Sequence, residues 1–318
     1  WMYLTAVIDW NSRYILPKDT PTHGTCTIIV PLSKGGEANS SISPHTFGFW
    51  NLKHLEQSAL ELGFETKLIF YNDEDPIRTK SHFSPATQGI ISFVSAGDLK
   101  SAGIRDSKIP IIYLGVEDRL SQPSVTGDVF LACYNLTRQM ISNGHRNILL
   151  HTPSSLGTME FTELVEGHRS AMATAGLPVN EAALLHSRDS GVDMLRLKKY
   201  LGEFPETTAI VTVDANVARR LVELAELLEI DVPGRLSISC LYSCKVDRNS
   251  STLMIQCCYY DWEDIMNRCF AMLLQESNMP RTFRMSFPPL LQQGESVSAI
   301  SKKVTALEPL HCTVSPSL

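Results

Sequence analysis

The sequence predicts an α/β protein built of two Rossmann-like lobes, each a parallel sheet covered by helices. Three observations predict it. Short apolar runs alternate with longer amphipathic segments from Cys26 onward, the pattern of parallel sheets with helices on both faces. The scheme runs through once and then repeats over a similar length. Residues 125–152 join the two halves. There, apolar Val129, Leu131, Ala132, Leu136, Met140 and Ile141 mark one buried helical face. Asn143-Gly144 stops that helix, and the following ILLH reads as a buried parallel strand.

Composition bounds the function. At 318 residues the chain is long enough for two cores. Apolar content of 43% and charged content of 19% are those of a globular protein. A formal charge of −6 argues against a bulk nucleic-acid binder, which needs a concentrated basic face. No apolar run reaches the ~18–20 residues of a membrane span, and no signal-peptide order opens the chain, so a cytoplasmic location is expected. The eight cysteines show no paired CxxC spacing, and several lie in apolar runs. They read as buried thiols ahead of disulfides or a metal site.

Taken in order, residues 1–16 read as two short strands around a turn, and residues 17–24 as a polar joint. Residues 26–32, CTIIVPL, form a strand, followed by a Ser- and Gly-rich loop over 33–44. Residues 47–62 are an amphipathic helix stopped by Gly63. Strands follow at 65–72, 88–94 and 109–115, with a polar helix beginning at 73 and a short helix or turn at 96–104. The second half gives a strand at 148–152, a loop over 154–158 and a helix at 161–175 closed by Gly176-Leu177-Pro178. A strand at 182–187, a helix at 192–204, a strand at 208–213 and a helix at 215–228 come next. A turn and strand within 230–242, the run 251–256 and a last helix at 260–275 close the body.

Several short motifs, in order, carry a resemblance. They are Ile109-Pro110-Ile111-Ile112, Gly144-His145-Arg146, Gly167-His168-Arg169, Ala175-Gly176-Leu177-Pro178, Thr208-Ala209-Ile210 leading to Asp214, Val232-Pro233 with Leu236-Ser237, and the ending FPPLLQQGESVS. Their order and spacing over about residues 26–298 resemble the effector-binding domain of LacI/GalR-type transcriptional regulators. The resemblance implies the type I periplasmic-binding-protein-like fold, its two lobes joined by three crossings of the chain. It divides the chain into a leader and linker at 1–24, a first lobe of 25–145 plus 257–279, a second of 146–256 plus 280–298, and a disordered tail at 299–318. Residues 1–16 separately resemble a fragment of a DDE-type insertion-sequence transposase. None of that family's metal-holding carboxylates falls in the fragment, so no integrase activity is carried over.

The resemblance also implies a ligand between the lobes, at the C-terminal ends of the parallel strands. The ligand-binding candidates are Ser33, Asp128, Leu164, Asp214, Tyr242 and Gln256, with the loops behind Ser33 and over 154–158. A carboxylate at Asp128 would accept hydrogen bonds from two adjacent sugar hydroxyls. The same residue suits an N-cap, and one side chain can do both. Gln256 fits the family's hinge-adjacent glutamine, or a crossover residue that satisfies backbone groups. Leu164, Val213 and Tyr242 stand where the family carries Arg, Asn and Asp, so three polar contacts are missing together.

No GxSxG elbow, P-loop or GxGxxG after the first strand is present, and no enzymatic activity, cofactor or metal is expected. The expected function is that of a small-molecule sensor, its effector carbohydrate-like by the family resemblance, acting as a homodimer. DNA would be reached only through a helix-turn-helix domain missing from this polypeptide, and no membrane partner is expected. Two rivals stand beside this reading: a solute-binding protein of a transport system, and an inactive remnant of a regulator disrupted by a transposon.

Overall fold

The computed structural model describes residues 24–31, 49–71, 86–101, 109–115, 122–153, 158–179, 184–187, 194–213, 215–241, 253–274 and 283–300. The first half runs β1 (Thr25–Pro31), α1 (Phe49–Glu61), β2 (Glu65–Tyr71), β3 (Thr87–Ser92), α2 (Ala96–Ser101), β4 (Ile111–Leu114) and β5 (Pro123–Gly127). The second runs α3 (Val129–Ser142), β6 (Ile148–Pro153), α4 (Thr158–Thr174), β7 (Leu184–Ser187), α5 (Met194–Glu203), β8 (Ala209–Thr212), α6 (Ala215–Leu227), β9 (Ser237–Cys240) and β10 (Gln256–Tyr259). The chain then adds α7 (Trp262–Leu274), β11 (Phe283–Phe287) and β12 (Leu290–Gln292).

These strands form two six-stranded sheets, ordered β11-β5-β4-β3-β1-β2 and β12-β10-β9-β8-β6-β7. The first is parallel throughout, and the second is parallel except for β12, which runs antiparallel to β10. Two parallel sheets with crossover helices are the expected α/β architecture.

Each sheet buries both faces. In the first, Cys26, Ile28, Ile91, Ile112, Leu114 and Val125 face α1 and α7, while Ile29, Ile90 and Tyr113 face the side of α2. In the second, Ile148, Leu150, Ala209 and Val211 face α3 and α4, and Leu149, Ile210, Ile238 and Cys257 face α5 and α6. The largest apolar cluster is continuous across both sheets, passing through Val129, Cys258, Tyr260 and Phe287. The six described cysteines are buried and form no disulfides.

Helix α3 ends as its sequence implies. Gly144 adopts φ 95° and its N–H donates to Ile141 O, while the His145 N–H reaches back to Met140 O. This pair of bonds is a Schellman cap, which needs a left-handed residue where glycine sits.

The crossings differ from the expected division of the chain. Strand β11 pairs with β5 in the first sheet, where residues 280–298 were placed in the second lobe. Strand β10 belongs wholly to the second sheet, so the crossing comes at Tyr260 and not at 256–257. The reason lies in the sequence after β11: Pro288-Pro289 cannot donate to a ladder, and there the chain passes to the other sheet. Strand β5 was unforeseen. The last helix starts at Trp262 because Asp261 caps it, its Oδ1 accepting from the Asp264 N–H at 3.1 Å.

Residues 299–300 are described and do not begin a free tail: the Ile300 N–H donates to Asn143 O at 2.8 Å. The expectations on residues 1–23 and 301–318, and on the polar helix beginning at 73, fall outside the described residues. No described helix is long and apolar enough to cross a membrane.

Candidate functional site at the lobe crossings

Three passages of chain converge where the sheets meet. The first is Gly127-Asp128, between β5 and α3. Asp128 has extended backbone (φ −79°, ψ 90°), and its Oδ1 accepts from the Leu131 N–H at 2.8 Å. Its own N–H donates to Phe287 O at 2.8 Å, which ties the first passage to the third. The N-cap role open to Asp128 is therefore present, and the half-buried carboxylate lies at the C-terminal end of β5.

The second passage is Tyr260-Asp261, between β10 and α7. The Tyr260 ring is buried against Gly127, so close that a Cβ there would meet Tyr260 Cε1 and Cε2 at 2.6 Å. Burial raises the Tyr260 phenol well above its ordinary value, and the nearby Cys258, Asp128, Glu160 and Glu163 add to the rise. The third passage is Phe287-Pro288. The Phe287 ring is buried, with the Arg268 guanidinium 5.5 Å from its centroid.

Two helices frame these passages from the second lobe. α3 and α4 pack closely because Gly167 has no side chain: a Cβ there would collide with Phe130 O. Behind this contact, His168 Nδ1 lies 3.1 Å from Thr137 Oγ1. Burial, then the neighbouring Arg169 charge, draw the His168 pKa down to about 4. His145 bridges Thr208 Oγ1 (2.9 Å) and Ser298 O (3.1 Å), and burial lowers its pKa also. Both imidazoles stitch elements of the second lobe together.

The structure distributes the sequence-predicted residues unevenly. Asp128 is at the crossings. Leu164 is fully buried in the continuous apolar core, as is nearly all of Val213, and neither offers a polar side-chain atom. Gln256 is 1% exposed and lies in register with Ser239. The Cys258 thiol, on the same strand face, reaches Ala132 O at 3.8 Å, so that face is covered by α3. Gln256 thus points beneath α3, and its Nε2 and the Ser239 Oγ have no hydrogen-bond partner. Ser33, Asp214, Tyr242 and the loop over 154–157 lie outside the described residues.

Sequence reading missed Tyr260, Asp261 and Arg284. Asp261 had a signal, an acid at the head of an apolar-periodic run with Asp264 three residues on. Arg284 had none in its own neighbourhood, since its partner Glu163 is 121 residues away. Among the described residues, no group of three His, Cys, Asp or Glu could hold a metal.

Two largely parallel α/β sheets joined by three crossings, with a carboxylate at the first, make a two-lobed architecture. The model of the family described as "periplasmic binding proteins and sugar binding domain of LacI family" matches residues 45–239, and the chain belongs to that family. It is 30% identical over 195 residues to the HTH-type transcriptional regulator DegA of Bacillus subtilis (strain 168), covering 58% of this chain and 57% of that protein. It is 26% identical over 139 residues to catabolite control protein A of Priestia megaterium, covering 42% of this chain and 41% of that protein. The chain thus matches between about two-fifths and three-fifths of the length of these curated relatives. Among solved structures, the complex of the transcriptional regulator CelR with cellobiose superposes with a TM-score of 0.70 at 16% identity, over 89% of this chain and 86% of that one. At that identity the likeness shows the fold.

Proposed function

We propose that this chain is the effector-sensing part of a transcription regulator, taking a small polar, carbohydrate-like ligand between its lobes. The observation that carries the reading is the placing of Asp128 at the convergence of three interlobe passages in a fold whose relatives are regulators. The cellobiose held by CelR supports the ligand class. The lobes of this reading are residues 24–127 with 261–287, and 128–260 with 288–298. Rotation of one against the other would carry the signal.

The proposed ligand is not a plain monosaccharide. The Leu164 and Val213 side chains carry no hydrogen-bonding atom and pack into the apolar core, and a ligand hydroxyl buried without a partner costs roughly 1–3 kcal/mol. A thermal-shift screen of pentoses, hexoses, disaccharides, aryl glycosides and nucleosides tests the reading. Stabilisation by a disaccharide or glycoside supports it, and no shift with any of them counts against it.

A homodimer completes the proposal. The exposed Leu290 and Leu291 lie on β12, an edge strand of the second sheet, and an apolar edge of this kind is normally covered. Sedimentation showing only monomer at tens of micromolar would contradict dimerisation.

A further inference from the structure

We propose that the Glu163–Arg284 ion pair is an interlobe latch that sets the resting angle between the two lobes. Arg284 stands on β11, paired with β5 in the first sheet. Glu163 stands on α4, which packs against α3 and β6 in the second lobe. Arg284 Nη2 donates to Glu163 Oε1 at 2.7 Å.

This pair differs from every other described ion pair. Arg169–Glu166, Lys199–Glu203, Arg220–Glu223 and Arg268–Asp264 each join residues three or four apart on one helix, with side chains 38–75% exposed. Such pairs decorate a helix and contribute little. Glu163 and Arg284 are 25% and 31% exposed, and no helix holds them together. Their distance therefore depends on how the lobes sit, together with the two side-chain rotamers.

The three chain crossings are covalent and persist through any rotation. A charge-assisted hydrogen bond at 2.7 Å does not, because it weakens once the groups separate beyond direct contact. The latch therefore favours the orientation in which it forms, and a motion that moves α4 away from β11 must break it. Tyr260 lies close enough to feel the Glu163 charge, so the latch operates beside the crossings themselves. The latch acts whatever occupies the cleft.

Site-specific spin labels at Lys100, exposed on α2, and Lys198, exposed on α5, report the interlobe distance in the full chain. Arg284→Glu and Glu163→Arg should each change the distance distribution, shifting the balance between orientations about fivefold. The double charge swap, Arg284→Glu with Glu163→Arg, should restore the original distribution. The neutral variants Arg284→Met and Glu163→Gln should shift it in the same direction as the reversals. An unchanged distribution in both single reversals overturns the latch. So does a double swap that stays shifted, which would trace the effect to each residue's own surroundings.

Discussion

The Tyr260 ring rests directly on the Cα of Gly127, so the second passage between the lobes is built on the first. This contact joins the end of β5 to the end of β10. It places the cap of α3, Asp128, next to the start of α7. A hinge made of packed passages moves as a unit, because displacing one displaces the other.

Gly127→Ala should destabilise the protein by about 1–3 kcal/mol, the usual cost of overpacking a filled site. Combined with Tyr260→Leu, which empties part of the ring's space, the loss should be smaller than the sum of the two single losses. Denaturant melts of the four proteins check it. Strict additivity would mean that the ring and the glycine are not in contact.

His168 makes stability depend on pH. Its folded pKa of about 4 lies below the ordinary 6.5, so the unfolded chain takes up a proton that the folded chain refuses between those values. Its stabilising contribution is complete above about pH 6.5 and is lost as pH falls through 4. The loss amounts to about 3 kcal/mol. The lowered pKa of His145 acts with the same sign. His168→Asn, whose amide can take the Nδ1 position toward Thr137, should flatten the stability profile over pH 4–6.5. A variant with the wild-type slope would place the titration elsewhere.

Glu229 is a cap in the wrong residue. It follows α6 with φ 57°, and its N–H and that of Ile230 bond back to Glu226 O and Ala225 O. That is the cap seen at Gly144, held here by a side-chain-bearing residue at a cost of about 1 kcal/mol. Glu229→Gly should raise the melting temperature by a few degrees, as measured by calorimetry. A lower melting temperature would show that the exposed Glu229 side chain contributes more than the strain removes.

The sheets and helices of this protein were legible where residues carry their own periodicity. CTIIV, GIIS and AIVT are apolar enough to be buried strands anywhere. Strand β5, PSVTG, was not legible: its residues are those of a turn, and only its neighbours β4 and β11 make it a strand. Strand β11, FRMSF, alternates apolar and polar residues and could have been assigned, but its sheet could not. That depends on pairing with β5, some 160 residues earlier. At the candidate site, Asp128 was legible as acid and cap from its own helix. Gln256 was not, because whether it faces a cleft or the underside of α3 is set by the register of β10 against β9.

The most direct test of an effector site at the crossings is a calorimetric titration of Asp128→Asn against the tightest ligand from the thermal-shift screen. Asparagine caps helices about as well as aspartate, so the α3 cap survives and the melting temperature should stay within a few degrees of wild type. The charge that would accept two sugar hydroxyls is gone. The predicted result is a folded protein whose affinity falls at least tenfold, a loss of about 1.4 kcal/mol or more. Wild-type affinity in a folded Asp128→Asn protein would contradict the account, leaving Asp128 as a helix cap alone.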